Sequence, residues 1–292
     1  MRTIYKIALM LLALVSMQVA NAQNDSTKTE TTEVIEAPKA HNSYLPQKGN
    51  FAIGADVTPV LNFMGNIFNG TIDNELEIAS PLIYAKYYLT DNTALRTVLG
   101  INSSSKSQLL YVQDDAAKFA NPLSNAQVTD NKTDKVNEYY LSVGLQKFIG
   151  QNRLRGFYGA QLFTQYNKNK STYEYGNPMT SLNPTPSASF AYVGGERKLS
   201  EVTANDFVVG AGGIAGFEYF IAPRLCIGGE VSLNFMYTQS LQTYQKSEKI
   251  ASGKVVAVDK ALTAGGHEFS FQTLSFEPGS FQHVGLYVML HF

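Results

Sequence analysis

The stretch FVVGAGGIAGFEYFIAPRLCIGGEVSLNF, residues 207–235, reads in steps of two. Phe207, Val209, Ala211, Gly213, Ala215 and Phe217 form one row of apolar or small residues. Leu225, Ile227, Gly229, Val231, Leu233 and Phe235 form a second, with Ala222-Pro223-Arg224 between them. A period of two over about ten residues marks a strand whose two faces meet different surroundings. A short proline-bearing link between two such rows is a tight turn. The stretch is therefore an antiparallel hairpin. Its opposite rows carry Glu218 and Glu230, so only one face is charge-free.

The same period recurs on both sides of the hairpin. It runs through Phe51, Ile53, Ala55, Val57, through Ile83, Ala85, Tyr87, Leu89, and through Leu95, Thr97, Leu99, Ile101. It returns in Tyr139, Leu141, Val143, Leu145, in Tyr158, Ala160, Leu162, Thr164, and in Val284, Leu286, Val288, Leu290, Phe292. None of these positions is charged, although charged residues make up 16% of the chain. The opposite faces carry Asp56, Lys86, Arg96, Glu138, Glu218, Glu230, His283 and His291.

A soluble sandwich also alternates, so the connections have to decide. They run long, short, long, short: 63–77, 90–93, 104–135, 149–154, 169–204, 222–224 and 239–280. Long loops at one end and tight turns at the other belong to an up-and-down barrel that spans a membrane. The expected fold is thus all-β, an antiparallel transmembrane barrel of about eight strands. Ten is the alternative, because Gly253 to Val258 and His267 to Phe276 are also strand-like. The first of these is short for a span of about 9–11 residues, which favours eight with a hairpin above the membrane. Aromatics at strand ends, including Phe51, Tyr87, Tyr139, Tyr158, Phe207, Phe217, Phe235 and Phe292, suit interfacial girdles.

The N-terminus reads as an export signal over residues 1–22. Arg2 and Lys6 precede the apolar run Ile7 to Val15, and Ala20-Asn21-Ala22 offers small residues for cleavage before Gln23. The run is too short for a spanning helix. Residues 23–49 are polar and read as a flexible periplasmic lead-in, and 50–292 is the barrel domain. Without the leader the chain is mildly acidic, which does not suggest nucleic acid as a partner. One cysteine, Cys226, excludes an internal disulfide framework.

The leader ending in Ala20-Asn21-Ala22-Gln23, the hairpin Gly216 to Leu225 and the closing strand His283 to Phe292 together carry a resemblance. The chain resembles the OmpA-type, porin-like outer-membrane β-barrel proteins common in the Bacteroidetes. That resemblance implies the outer membrane of a Gram-negative bacterium as the location. It implies that Leu286, Val288, Leu290 and the terminal aromatic Phe292 are read by the barrel-assembly machinery. It also implies outer-membrane lipid and lipopolysaccharide as surroundings, with an outer-membrane complex partner or a surface ligand as a further expectation. It says little about activity, since one fold hosts many functions.

An eight-stranded barrel has an interior just wide enough for side chains to fill. Asp56, Lys86, Arg96, Glu218 and Glu230 face inward and carry both signs, so they are expected to pair in a low-dielectric lumen, as a structural plug or a gate. Cys226 shares that face near the periplasmic end and reads as a small filler.

Other motifs lead nowhere. Gly210 to Ala215 spells G-x-G-x-x-A, but inside a strand rather than before a helix. His283 and His291 lie roughly 26 Å apart along one strand. Asp114, Asp115 and Asp130 lack a calcium-loop spacing. No catalytic group, metal site or cofactor site is expected, and an enzyme is not indicated. Three functions stay open: a structural or accessory barrel with a side-chain-filled lumen, a narrow porin-like channel for small solutes, and an adhesin or receptor acting through long loops rich in Ser, Thr, Asn and Tyr.

Overall fold

The computed structural model describes residues 44–57, 82–150, 152–190, 192, 195–273 and 285–292. The expected export signal, the loop at 63–77, His283 and most of the lead-in lie outside the described residues. Residues 44–49 of the lead-in are seen beneath the barrel. Tyr44 and Leu45 pack against the interior, the Lys48 amide donates to Asp91 Oδ1 at 2.8 Å, and the Gly49 amide donates to the Tyr88 carbonyl at 2.8 Å.

Eight strand positions close a ring. In order they are β1 (Phe51–Asp56), β2 (Leu82–Thr90), β3 (Thr93–Gln113), β4 (Gln127–Ile149), β5 (Leu154–Glu174), β6 (Arg197–Ala222), β7 (Leu225–Ser240) and β11 (Gly285–His291). All neighbours are antiparallel, and β1 closes on β11 from Ala52↔His291 to Asp56↔Tyr287. Among the described residues no helix is long and apolar enough to cross a membrane; the crossing is made by strands.

Three further segments, β8 (Thr243–Ala251), β9 (Lys254–Thr263) and β10 (Gly266–Thr273), do not enlarge the ring. Strand β8 continues β7 past a two-residue break and pairs with the outer end of β6. The turn at Ser252-Gly253 has positive φ at both residues (51° and 72°), the backbone that a two-residue hairpin needs. Strand β9 then returns along β8, and β10 continues down along β7, from Gly266↔Ser240 to Thr273↔Leu233. The ring therefore keeps eight positions, while β8 prolongs β7 and β10 prolongs β9 past short breaks.

The alternation sets which side chains point where. Ile53, Ile83, Leu99, Leu141, Tyr158, Phe217, Leu233 and Leu290 are exposed on the outside, while Ala52, Tyr84, Val98, Tyr140, Phe157, Phe220 and Met289 are buried within. An upper girdle runs through Tyr139, Tyr166 and Phe207, which are in register. Tyr237 joins it, with Phe269 5.0 Å away ring to ring. From Tyr158 to Tyr166 is about 26 Å of strand. At a tilt near 40° it rises roughly 20 Å, most of an apolar band about 25 Å tall.

The long connections differ from the sequence reading. Residues 104–135 and 169–204 are not loops throughout. Strands β3 and β4 stay paired without a slip up to Gln113↔Gln127, so from Ile101 to Gln113 the strand continues about 40 Å further. The tip carries one short helix, α1 (Asp115–Ala120), capped by Asp114, whose carboxylate accepts the Ala117 amide at 3.0 Å. Above the membrane both faces of a strand meet polar surroundings, so the period-two signal disappears while the pairing continues.

Candidate functional site: the filled lumen

Lys86 and Arg96 oppose each other in the β2–β3 register. Lys86 Nζ reaches Glu218 Oε1 on β6, and Arg96 Nη2 reaches Glu230 Oε1 on β7. All four residues lie inside the wall, with Lys86 and Glu218 side chains fully buried. The Glu218 hub has a third member on β5. Arg155 Nη2 and Nε donate to Glu218 Oε2 at 2.9 and 3.2 Å, and Arg155 Nη2 also donates to Tyr88 Oη at 2.7 Å. Tyr287 Oη donates to Glu218 Oε1 at 3.1 Å and accepts from Lys86 at 3.1 Å. Both carboxylate oxygens are therefore fully engaged, which is the condition under which a buried ion cluster persists.

Aromatic rings fill the space around these charges. The Arg155 guanidinium lies 3.8 Å from the Phe148 ring centre, and Lys86 Nζ lies 5.1 Å from that of Phe157 and 4.9 Å from that of Tyr287. Cations over desolvated ring faces gain from the ring quadrupole. Below them, Tyr88 Oη meets His291 Nε2 at 3.0 Å, and Cys226 is fully buried. Packing this tightly requires missing side chains opposite the rings. A methyl at Gly228 would overlap the Tyr287 ring, and one at Gly216 would meet Phe157 at 2.5 Å.

The second hub, around Arg96, is less saturated. Arg96 Nη1 donates to Gln161 Oε1 at 2.8 Å, Ser142 donates to the same oxygen at 2.9 Å, and Gln161 Nε2 reaches Asn234 Oδ1 at 3.3 Å. Arg96 Nε and Glu230 Oε2 have no protein partner among the described residues, and neither do the two polar side-chain atoms of buried Gln146. Asp56 stands half-buried on the same lumen face at the outer end of β1, in register with Tyr287. Glu138, higher on β4, accepts from Asn102 at 3.0 Å.

The structure therefore joins Lys86 with Glu218 and Arg96 with Glu230. Sequence reading missed Arg155, Tyr88, Gln161 and Tyr287. Arg155 stands in step with Phe157, Gly159 and Gln161, one residue beyond the turn, and carrying the period of two back to the start of β5 finds it. Asp56, Glu218 and Glu230 thus share the lumen face with Lys86, Arg96 and Arg155, three acids with three bases, and Glu138 adds a fourth acid higher on the wall.

Glu218, Cys226 and His291 offer donor atoms within 4.8 Å of one another. The arrangement does not suit a metal: both Glu218 oxygens already hold cationic groups, His291 Nε2 is engaged by Tyr88, and a divalent ion would sit beside Lys86 and Arg155. Leu286, Val288, Leu290 and Phe292 occupy the outward row of the closing strand, with Leu290 and Phe292 exposed.

A closed ring of two-faced strands, with an outward face free of charge between its girdles and a charge-paired interior, defines an outer-membrane β-barrel. Its sequence matches the OmpA-OmpF-like porin family over residues 77–255, more than half of the chain, and the protein belongs to that family. No curated protein matches it. Among solved structures it is similar to a major outer membrane protein of Thermus thermophilus, at 11% identity and a TM-score of 0.36, covering 84% of this chain and 99% of that one. It is also similar to the outer membrane protein OprG of Pseudomonas aeruginosa, at 9% identity and a TM-score of 0.30, covering 85% and 98%. A third is Ail, the attachment invasion locus protein of Yersinia pestis, at 8% identity and a TM-score of 0.27, covering 84% and 99%. With identities and scores this low, the class rests on the family match and on the strands themselves.

Proposed function

We propose that this protein is a closed structural barrel of the outer membrane that carries an ordered extracellular platform, rather than an open pore. The observation that supports this most directly is the layer made by Lys86, Arg155 and Glu218 with Tyr88, Phe148, Phe157, Phe220 and Tyr287, in which every residue is at most 4% exposed. A solute crossing that layer has to displace a carboxylate held by two cations. Recording from the purified protein in a planar bilayer tests the reading. Wild type gives no persistent conductance, and K86A/R155A/E218A gives small steady steps; large, lasting channels from wild type overturn it.

A second reading, a surface adhesin or receptor, is favoured by the apolar tips of the platform. Phe119, Leu123 and Leu182 are 94%, 87% and 96% exposed. Bare apolar side chains at projecting tips are contact residues in waiting. Cell-surface binding that survives F119S/L123S/L182S removes this reading.

A further inference from the structure

We propose that Lys135, Lys168 and Lys170 form a binding site on the outer wall for the phosphate groups of an outer-leaflet glycolipid. Lys135 and Lys170 are directly opposed in the β4–β5 register, and Lys168, opposite Asn137, is their diagonal neighbour. All three share the outward face with Tyr139 and Tyr166. Like charges directly opposite each other destabilise a strand pair, so this cluster needs a counter-charge.

The described residues do not supply one. Among the described residues none of the three lysines makes a salt bridge. The first acid along that face of β5 is Glu174, four residues beyond Lys170, and it accepts from Asn131 at 3.3 Å. The inward face at the same height is treated differently: Lys106 is in register with Asp134, and Lys132 pairs with Asp134 at 2.9 Å. Lys86, Arg96 and Arg155, deeper in the lumen, each have an acid as well. Among the described residues, Lys86, Arg96, Arg155 and Lys132 on the lumen face each hold an acid, and the outward trio holds none.

Height identifies the anion. Lys168 is two residues, and Lys135 and Lys170 four residues, beyond the Tyr139–Tyr166 rung of the outer girdle. At about 3.3 Å per residue and a tilt near 40°, the three stand roughly 5–10 Å above the hydrocarbon boundary. That is the headgroup layer, and lysine stems are long enough to bend down into it. On one flank, Ser103, Ser105 and Ser107 of β3 lie in register with Asn137, Lys135 and Thr133, a row of hydroxyls suited to sugar. Below, Leu141, Leu162 and Phe207 offer apolar wall to acyl chains. A phosphorylated, acylated saccharide matches all three zones; a soluble anion uses only the first.

The test titrates the full chain, refolded in detergent and checked by heat-modifiable gel migration, with bisphosphorylated lipid A, with dephosphorylated lipid A and with hexametaphosphate. K135Q/K168Q/K170Q is expected to lose affinity for bisphosphorylated lipid A by roughly a hundredfold, about fivefold per lysine. K254Q/K260Q, which removes two lysines of β9, is expected to change it less than about twofold. If the triple variant does not fold, K170Q alone carries the test at its fivefold. The proposal is overturned if the lysine variants bind as wild type does, or if dephosphorylated lipid A binds wild type equally well. Hexametaphosphate binding as tightly as the lipid also overturns it, by making the cluster a site for soluble polyanions.

Discussion

Lys86 and Arg96 sit side by side on one rung of the lumen wall, and each turns to a different acid, Lys86 to Glu218 on β6 and Arg96 to Glu230 on β7. The repulsion expected of two neighbouring cations is resolved by sending their partners to separate strands. The interior is thereby tied across its diameter, and strands far apart in the ring are held at fixed heights.

Removing the shared acid should be costly. Glu218→Gln leaves Lys86 and Arg155 buried without a counter-charge, and breaking a buried pair this way costs about 3–5 kcal/mol. Replacing the whole group by apolar residues, as in K86M/R155M/E218L, should recover most of that loss, since it leaves no orphaned charge. Urea unfolding of the refolded barrel in lipid vesicles measures both. Equal destabilisation by the single and the triple variant would contradict the pairing account.

Gly228 is expected to tolerate nothing larger than hydrogen. A methyl there overlaps the Tyr287 ring, and overpacking of this kind costs about 1–3 kcal/mol. The double variant G228A/Y287L should be more stable than G228A alone, because the smaller side chain yields the space. Thermal unfolding of the two variants separates a local clash from a general intolerance of β6–β7 contacts.

The segment above β5 should loosen in acid. Asp115, on the extracellular helix, accepts the Ser187 amide at 2.8 Å and the Asn183 side-chain amide at 2.7 Å. Partial burial raises its pKa, but the hydrogen bonds from Ser187 and Asn183 outweigh this and hold it below the ordinary value of 3.8. A carboxyl depressed in the folded state contributes stability that is fully present above the unfolded value and is lost as pH falls through the folded one. Hydrogen-exchange protection over residues 180–190, taken relative to the intrinsic rate at each pH, should therefore be high at about pH 5 and fall as pH drops below about 4. Asp115→Asn should give faster exchange at that higher pH and a flatter pH response.

Phe292 should matter more for assembly than for final stability. Its side chain is 57% exposed on the lipid side, while its backbone amide donates to the Phe51 carbonyl at 2.7 Å. Phe292→Ala keeps that backbone bond. We expect slower membrane insertion in assembly-competent vesicles and an unfolding midpoint close to wild type.

The ring and its facing pattern were legible because lipid and lumen impose opposite demands on successive residues. Every row from Phe51 to Phe292 that lies among the described residues carries that imprint within the membrane. Beyond Ile101, Tyr139 and Phe207 the imprint ends. Serines, lysines and asparagines on both faces look like loop, yet Ser103 to Gln113 is paired strand. The kinks at Leu241 and Gly265 divide two long strands into short segments that a count of alternating rows cannot join. Inside, the formal charges were readable, but which partner each would take was not, because that depends on the stagger between strands. Arg155 was overlooked because it directly follows a turn, where a polar residue looks unremarkable.

The β1–β11 joint has a mechanical consequence. It joins the first strand of the ring to the last, in register from Ala52↔His291 to Asp56↔Tyr287. The cylinder is a ribbon fastened by a clasp between its two ends. Neighbouring strands can pair as soon as both are present, but this clasp needs the whole ribbon, so the last act of building the barrel is to shut it.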